Sequence, residues 1–254
     1  MDITLRKRRI VWAGDSIVAP NGFATYPQTG MGQGFRLYTA EDAELINLAV
    51  NGRSTKSFID EQRMPEAYFT LGEGDFFFIQ FGHNDQKKED PLRYAAAYGD
   101  YQLNLEKFYN VASNRGAEAV FITPPVRRHF GKDGRIIPSH GDYPAAMKEK
   151  AAELGVLLVD LQSLSKAYIE AAGAEESRRL FMNFPAGRYA NYPEGKEDNS
   201  HLTADGARIF AGLVAADLWA KGEPYRAILR PECAALSERL KHFQAKAKEE
   251  GVSA

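Results

Sequence analysis

The 254-residue chain has one cysteine, Cys233, and that scarcity excludes two kinds of architecture at once. A single thiol closes no internal disulfide framework and completes no multi-cysteine metal site. Cys233 lies far from the polar motifs described below and is expected to be a small, buried, apolar residue. Charge of one sign is missing too. The net charge is -2 and the isoelectric point about 6.2, so the expectation is no nucleic acid and no membrane surface among the partners. No apolar run approaches the length of a membrane span. The histidines are few, five in all, and do not cluster. The chain has no internal repeat and no low-complexity segment.

What is present is ordinary globular composition, 44% hydrophobic and 26% charged. A chain of this length can bury a substantial core without covalent staples, and single α/β domains commonly reach this size. Arg6-Lys7-Arg8-Arg9 followed by Ile-Val-Trp-Ala looks like the start of a signal peptide. The apolar run breaks at Gly14-Asp15-Ser16, too short for a leader's hydrophobic region. A soluble protein retained in the cytoplasm is the expectation.

Apolar runs rich in β-branched and aromatic residues alternate with helical patterns. The first, Ile10 to Trp12, ends in a turn that presents Ser16. A Gly-rich connection follows, from Pro20 to Gly34. Ala43 to Ala49, Phe76 to Gln80, Ala119 to Thr123 and Val156 to Leu161 read as four more strands. Ser54 is placed to cap a short helix through Glu61. Pro91 to Asn114 reads as a helix, with Tyr94, Tyr98, Tyr101, Leu105 and Phe108 three or four residues apart. Tyr143 to Leu154 and Thr203 to Lys221 read as two more. Strands separated by helices predict an α/β fold with a parallel sheet and right-handed crossovers. Residues 1–230 form the expected domain. Residues 231–254 are a C-terminal amphipathic helix, Glu232 to Glu250, with Leu236, Leu240, Phe243 and Ala247 on one stripe between Pro231 and Gly251. Its apolar stripe leaves two placements open, on its own domain or on a second subunit in a homodimer.

The chemistry-bearing residues gather where those strands end. The first strand delivers Gly14-Asp15-Ser16, the second Asn51-Gly52-Arg53-Ser54, and the third Gly82-His83-Asn84-Asp85. Asp198-Asn199-Ser200-His201 sits just before the last core helix. A doubly wound topology brings all four to one rim of the sheet. Acyl transfer needs such a set. A serine hydroxyl requires a base to take its proton. Histidine suits that task, and a carboxylate must hold the imidazole in the right tautomer. Asp198 and His201 lie three apart, so one turn could aim both side chains the same way. Donors for the developing oxyanion come from the Ser16 amide, the Gly52 amide and the Asn84 side chain. Each residue also has a plainer explanation: Ser16 as a helix cap, His83 bonded to backbone, His201 as a cap, Asp198 as an N-terminal carboxylate. Their occurrence together and in order is what those explanations leave unaccounted for. Asp15 is expected to stabilise the turn and point away from Ser16. His129, His140 and His242 are expected on the surface.

These blocks resemble the SGNH (GDSL-like) hydrolase family: Ser16 in A-G-D-S, Gly52 in N-x-A-x-N-G-R-S, Asn84 in F-G-H-N-D and His201 in D-N-S-H, in the family's order. The resemblance runs from about Arg9 to Lys221. Within the family, G-R-S-T-K-S-F, F-G-H-N-D and T-P-P-V-R-R-x-F are similar to the rhamnogalacturonan acetylesterase branch of carbohydrate esterases. One departure is Ile17-Val18, where that branch often has a small hydroxyl residue after the serine. The resemblance implies a three-layer, flavodoxin-like fold on a five-stranded parallel sheet and a Ser16-His201-Asp198 triad. It also implies release of acetate from sugar esters, without metal or cofactor. Secreted members of the family carry signal peptides; the expected substrate here is therefore an imported, pectin-derived oligosaccharide ester or other small ester. Arg53, Asp85 and Arg188 are candidate substrate contacts. Arg127 and Arg128 are either contacts to an acidic sugar or solvated surface residues.

Three other readings compete. A metal-dependent phosphoesterase shares a Gly-Asp after one strand and a Gly-His-Asn-Asp after another, but its ligand set is incomplete here. A lipase, thioesterase or lysophospholipase would keep the same triad and add a long apolar acyl channel. The polar, Gly-rich stretches Pro20 to Gly34 and Arg188 to Lys196 favour a polar substrate. A sugar-binding module on the same fold would lack the triad.

Overall fold

The computed structural model describes residues 6–249, with side chains up to residue 245. At its centre lie five parallel strands: β1 (Arg8–Gly14), β2 (Ala43–Asn47), β3 (Phe76–Gln80), β4 (Glu118–Ile122) and β5 (Leu157–Val159). Their order is β2-β1-β3-β4-β5, the doubly wound, flavodoxin-like order. Alternate residues of a strand face opposite sides. Ile10 and Trp12 of β1, with Phe76 and Phe78 of β3, enter one core; Val11 and Ala13, with Phe77 and Ile79, enter the other. A sheet so apolar on both faces must be covered on both.

Eight helices among the described residues supply the cover. On one face lie α1 (Met31–Phe35), α6 (Leu161–Glu176), α7 (Ala204–Lys221) and α8 (Cys233–Glu249). On the other lie α2 (Thr55–Asp60), α3 (Met64–Thr70), α4 (Gln102–Asn114) and α5 (Tyr143–Leu154). α1 fits closely against α7 because Gly34 has no side chain: a Cβ there would stand 2.5 Å from the Ala207 carbonyl oxygen. Ser54 caps α2, its hydroxyl accepting the Ser57 amide at 3.1 Å. Cys233 is buried, as the sequence reading expects. α8 packs on α7 of the same chain, with Leu240 buried and Phe243 beside Tyr168. The expected helix end at Glu250 and Gly251, and the Ala247 side chain, lie outside the described residues.

Several expectations need correction. The helix expected over Pro91 to Asn114 begins only at Gln102. Residues 97–101 are an irregular turn in which Tyr98 and Gly99 leave helical geometry. The aromatic spacing is therefore split: Tyr101, Leu105 and Phe108 are buried, whereas Tyr98 is exposed. The last sheet strand stops at Val159, because Asp160 accepts the Ser163 amide and caps α6. The sequence reading also misses an antiparallel hairpin, β6 (Phe181–Phe184) and β7 (Lys196–Leu202). β7 reads K-E-D-N-S-H-L, which lacks the alternation that marks a strand.

Candidate active site

Strand order reverses between β1 and β3, and the crevice above their carboxyl ends is where such folds place ligands. Ser16 stands there. The chain turns around Asp15: the Val18 and Ala19 amides donate to its carbonyl at 3.1 and 2.9 Å, and the Ile17 amide to its carboxylate at 2.9 Å. No helix starts at Ser16, so its hydroxyl is not a cap. It meets His201 instead, with Ser16 Oγ 3.0 Å from His201 Nε2. The other ring nitrogen, Nδ1, lies 2.7 Å from Asp198 Oδ2.

The expectation that a helical turn joins Asp198 to His201 is not met. Both lie on β7, and α7 starts later, behind its Thr203 cap. The carboxylate shapes the strand itself. Asp198 Oδ1 accepts the amides of Ser200 and His201, each at 2.9 Å, a local side-chain-to-backbone bond that curls extended chain. The β6–β7 register is irregular next to Met182, which pairs with Asp198. Burial would raise the Asp198 carboxyl. The His201 ring and amide and the Ser200 amide, all bonded to the charged form, outweigh burial and hold it well below the usual carboxylate range. The charge needed to steady an imidazolium is therefore present at all ordinary pH.

Gly52 follows β2 with φ +78°, a left-handed backbone that disfavours a side chain. No acceptor among the described residues takes its amide or that of Ser16. One N–H of the Asn84 side chain donates to the Arg53 carbonyl at 3.0 Å, which fixes the amide and leaves a second N–H able to donate.

Beneath this layer lies a second histidine–aspartate pair. His83 Nδ1 is 2.9 Å from Asp15 Oδ2, both side chains buried. His83 therefore bonds a carboxylate, not backbone, and ties the Ser16 turn to the Asn84 loop. Its ring meets His140 edge to face, centroids 4.5 Å apart. His140 is not on the surface as expected; it is fully buried, and neither ring nitrogen has a partner among the described residues. Burial, then the neighbouring His83 and Arg127, push its pKa well below the ordinary histidine value, so it stays neutral. His129 and His242 are exposed, as expected.

The arginines divide. Arg127 is neither solvated nor aimed outward. Its Nε donates to Ser200 Oγ at 3.1 Å, and its terminal nitrogens donate to the Ser139 carbonyl at 3.0 Å and the His83 carbonyl at 3.4 Å. The next residue, Arg128, donates its backbone N–H to the Asn199 carbonyl at 2.8 Å. Together they brace β7 against the Asn84 loop. Arg53 pairs with Glu61 at 2.9 Å and remains half-exposed. Arg188 is exposed on the hairpin loop 185–195. Asp85, expected to touch substrate, is fully buried. Its carboxylate accepts the Thr55 amide at 2.8 Å, the Thr55 hydroxyl at 2.5 Å and the Gly82 amide at 3.1 Å. Burial pushes its pKa up to about 7.

The sequence reading named Arg127 and Arg128, within T-P-P-V-R-R-x-F, as sugar contacts or solvated residues, and missed their bracing role. Among the described residues, no three His, Cys, Asp or Glu side chains come together as metal ligands would.

Comparison with known proteins follows the same blocks. The model of the GDSL-like Lipase/Acylhydrolase family matches residues 13–209. The chain is 40% identical over 218 residues to rhamnogalacturonan acetylesterase RhgT of Bacillus subtilis, covering 86% of this chain and 92% of that one. It is 36% identical to the probable rhamnogalacturonan acetylesterase YesY of the same organism, covering 85% and 94%. The crystal structure of Bacillus subtilis YxiM superposes with a TM-score of 0.72 at 24% identity. That superposition covers 86% of this chain and 58% of YxiM.

Proposed function

Because the chain belongs to the GDSL-like lipase/acylhydrolase family and is a carboxylic ester hydrolase, we propose that it removes acetyl groups from acetylated sugars, in particular oligosaccharides derived from rhamnogalacturonan. The observation that carries this reading is the unbroken chain Ser16 Oγ–His201–Asp198, at 3.0 and 2.7 Å. The likeness to two rhamnogalacturonan acetylesterases supports the choice of acyl group and sugar.

In the proposed reaction His201 Nε2 takes the Ser16 proton as Oγ attacks the acetyl carbonyl. The Ser16 and Gly52 amides and the free Asn84 N–H receive the oxyanion. Collapse expels the sugar oxygen, which leaves with the proton from His201. Water, deprotonated by the same nitrogen, then releases acetate from the acyl-enzyme and restores Ser16. Asp198, held ionised, keeps Nδ1 protonated throughout. None of these steps draws on a metal or cofactor. The proposal divides the chain into a hydrolase domain, residues 1–230, and an appended C-terminal helix. It includes a cytoplasmic location. No described helix is long and apolar enough to cross a membrane. Cell fractionation tests the location.

The functional test is an acyl-length series, C2 to C8, together with acetate release from acetylated pectic oligosaccharides, on wild type and Ser16→Ala. The expected profile falls steeply from acetyl upward. An apolar channel would instead gain with each added CH₂, at about 0.8 kcal/mol apiece, so preference for C6 or C8 would overturn the sugar-ester reading and favour a lipase. Ser16→Ala is expected to fold normally and lose at least about 10³-fold in kcat. A folded Ser16→Ala protein keeping a tenth of wild-type turnover would remove Ser16 as nucleophile.

A further inference from the structure

The segment 20–29 is anchored around the site at both its ends. Beyond it the Met31 amide bonds the Ile17 carbonyl, one residue past the nucleophile. At the near end, Asn21 Oδ1 accepts from Asn51 Nδ2 at 3.1 Å, next to Gly52. At the far end the Thr29 amide donates to the Leu202 carbonyl at 2.9 Å, next to His201. The residues between these anchors therefore link the Gly52 turn to β7 beside His201. The hairpin loop 185–195 grips them: Asn191 Nδ2 donates to the Phe23 and Tyr26 carbonyls, and the Tyr192 hydroxyl to the Thr25 carbonyl at 3.3 Å. Thr25 Oγ1 donates back to Asn21 Oδ1 at 3.2 Å.

On this well-tied segment Phe23 is 97% exposed and Tyr26 54%. Phe23 opens a 3₁₀ turn, Phe23–Thr25, and Tyr26 caps its end, its amide donating to the Phe23 carbonyl at 3.3 Å. Tyr26 stacks edge-on against Tyr189 of the hairpin loop at 5.6 Å, and Tyr189 in turn against Phe184 at 4.6 Å. A phenyl ring left in water forgoes the gain of burial. Here the backbone carbonyls of Phe23, Thr25 and Tyr26 each accept a hydrogen bond from the hairpin loop, while the Phe23 ring stays in water. Aromatic side chains clustered at the mouth of a polar site suit a ligand with apolar faces and polar edges. A pyranose is such a ligand: its axial C–H bonds present a weakly positive face that matches the negative face of an aromatic ring, while its hydroxyls remain hydrated.

We propose that Phe23, with Tyr26 and Tyr189 beside it, forms a platform that stacks on a pyranose ring of the substrate next to the ring bearing the acetyl ester. This rests on the sugar-ester reading above. The platform makes the enzyme prefer acetylated oligosaccharides to acetylated monosaccharides and to simple aryl acetates, because only the first reach both Ser16 and Phe23.

The test compares wild type, Phe23→Ala and Phe23→Trp on three substrates: an acetylated pectic tetrasaccharide, an acetylated methyl glycoside and p-nitrophenyl acetate. Phe23→Ala is expected to lower the ratio of kcat/KM for the tetrasaccharide to that for p-nitrophenyl acetate by about 2- to 10-fold, the scale of one aromatic stacking contact. The loss should appear in KM, and Phe23→Trp should restore the ratio. An unchanged ratio overturns the platform. So does an equal loss on all three substrates, which would mean a disturbed site. If wild type turns over p-nitrophenyl acetate and no acetylated saccharide, it is the sugar-ester reading itself that fails.

Discussion

Among single residues, the proposed mechanism leans most on those whose side chains have part of their bonding already committed. Asn84 has one amide N–H tied to the Arg53 carbonyl at 3.0 Å, so the other is preorganised. Asn84→Ala is expected to lower kcat by roughly 10²–10³ with little change in KM; steady-state kinetics on p-nitrophenyl acetate decide it. An effect confined to KM would make Asn84 a ground-state contact. Arg127 is committed more fully, to Ser200, Ser139 and His83. A lysine keeps the charge and loses the planar fork. Arg127→Lys is therefore expected to cost roughly 10- to 100-fold in kcat, the scale of a small misplacement of catalytic groups, at nearly constant KM. A rise in KM instead would return Arg127 to the acidic-sugar role.

At the scale of elements, Asp85 pins the start of α2 to the end of β3 through Thr55 and Gly82. Its pKa is about 7 in the folded chain and about 3.9 unfolded. Between those values the folded state binds more protons than the unfolded one, so this group makes stability fall as pH rises from about 4 to about 7. Asp198 works in the opposite sense: its lowered pKa adds stability above the unfolded value and loses it only in stronger acid. Asp85→Asn should flatten the decline, measured as urea midpoints at pH 5 and pH 8. Equal declines in the variant and wild type would show that Asp85 does not cause it.

For the whole molecule, the question is whether α8 belongs to the fold. Leu240 is buried against α7 and shares the core that contains Trp12 and Phe210. Leu240→Ala should cost about 2–5 kcal/mol, a fall in Tm of roughly 4–20 °C at this size, independent of protein concentration and with kcat/KM for p-nitrophenyl acetate unmoved. A loss that diminishes at high concentration would mean that α8 is held by a second copy of the chain instead.

Much of this was legible in the chain. Short apolar runs rich in β-branched and aromatic residues, separated by helical patterns, determined the sheet, because a strand covered on both faces is apolar along its whole length. The blocks ending in Ser16, Gly52 and Asn84 determined the rim, because turns that follow parallel strands all open at the same end. What the sequence could not supply were contacts whose partners lie far apart in the chain or whose geometry has no period. Asp198 and His201 are brought together by bonds from the Asp198 carboxylate to two amides on an irregular strand, not by a helix. Asp85 reads as a substrate contact and His140 as a surface residue, until folding encloses both. Arg127 becomes a brace only when residues 83, 139 and 200 converge on it. Sequence reports local preference directly, but burial and long-range hydrogen bonding exist only once distant segments have packed, and the roles of those five residues were decided there.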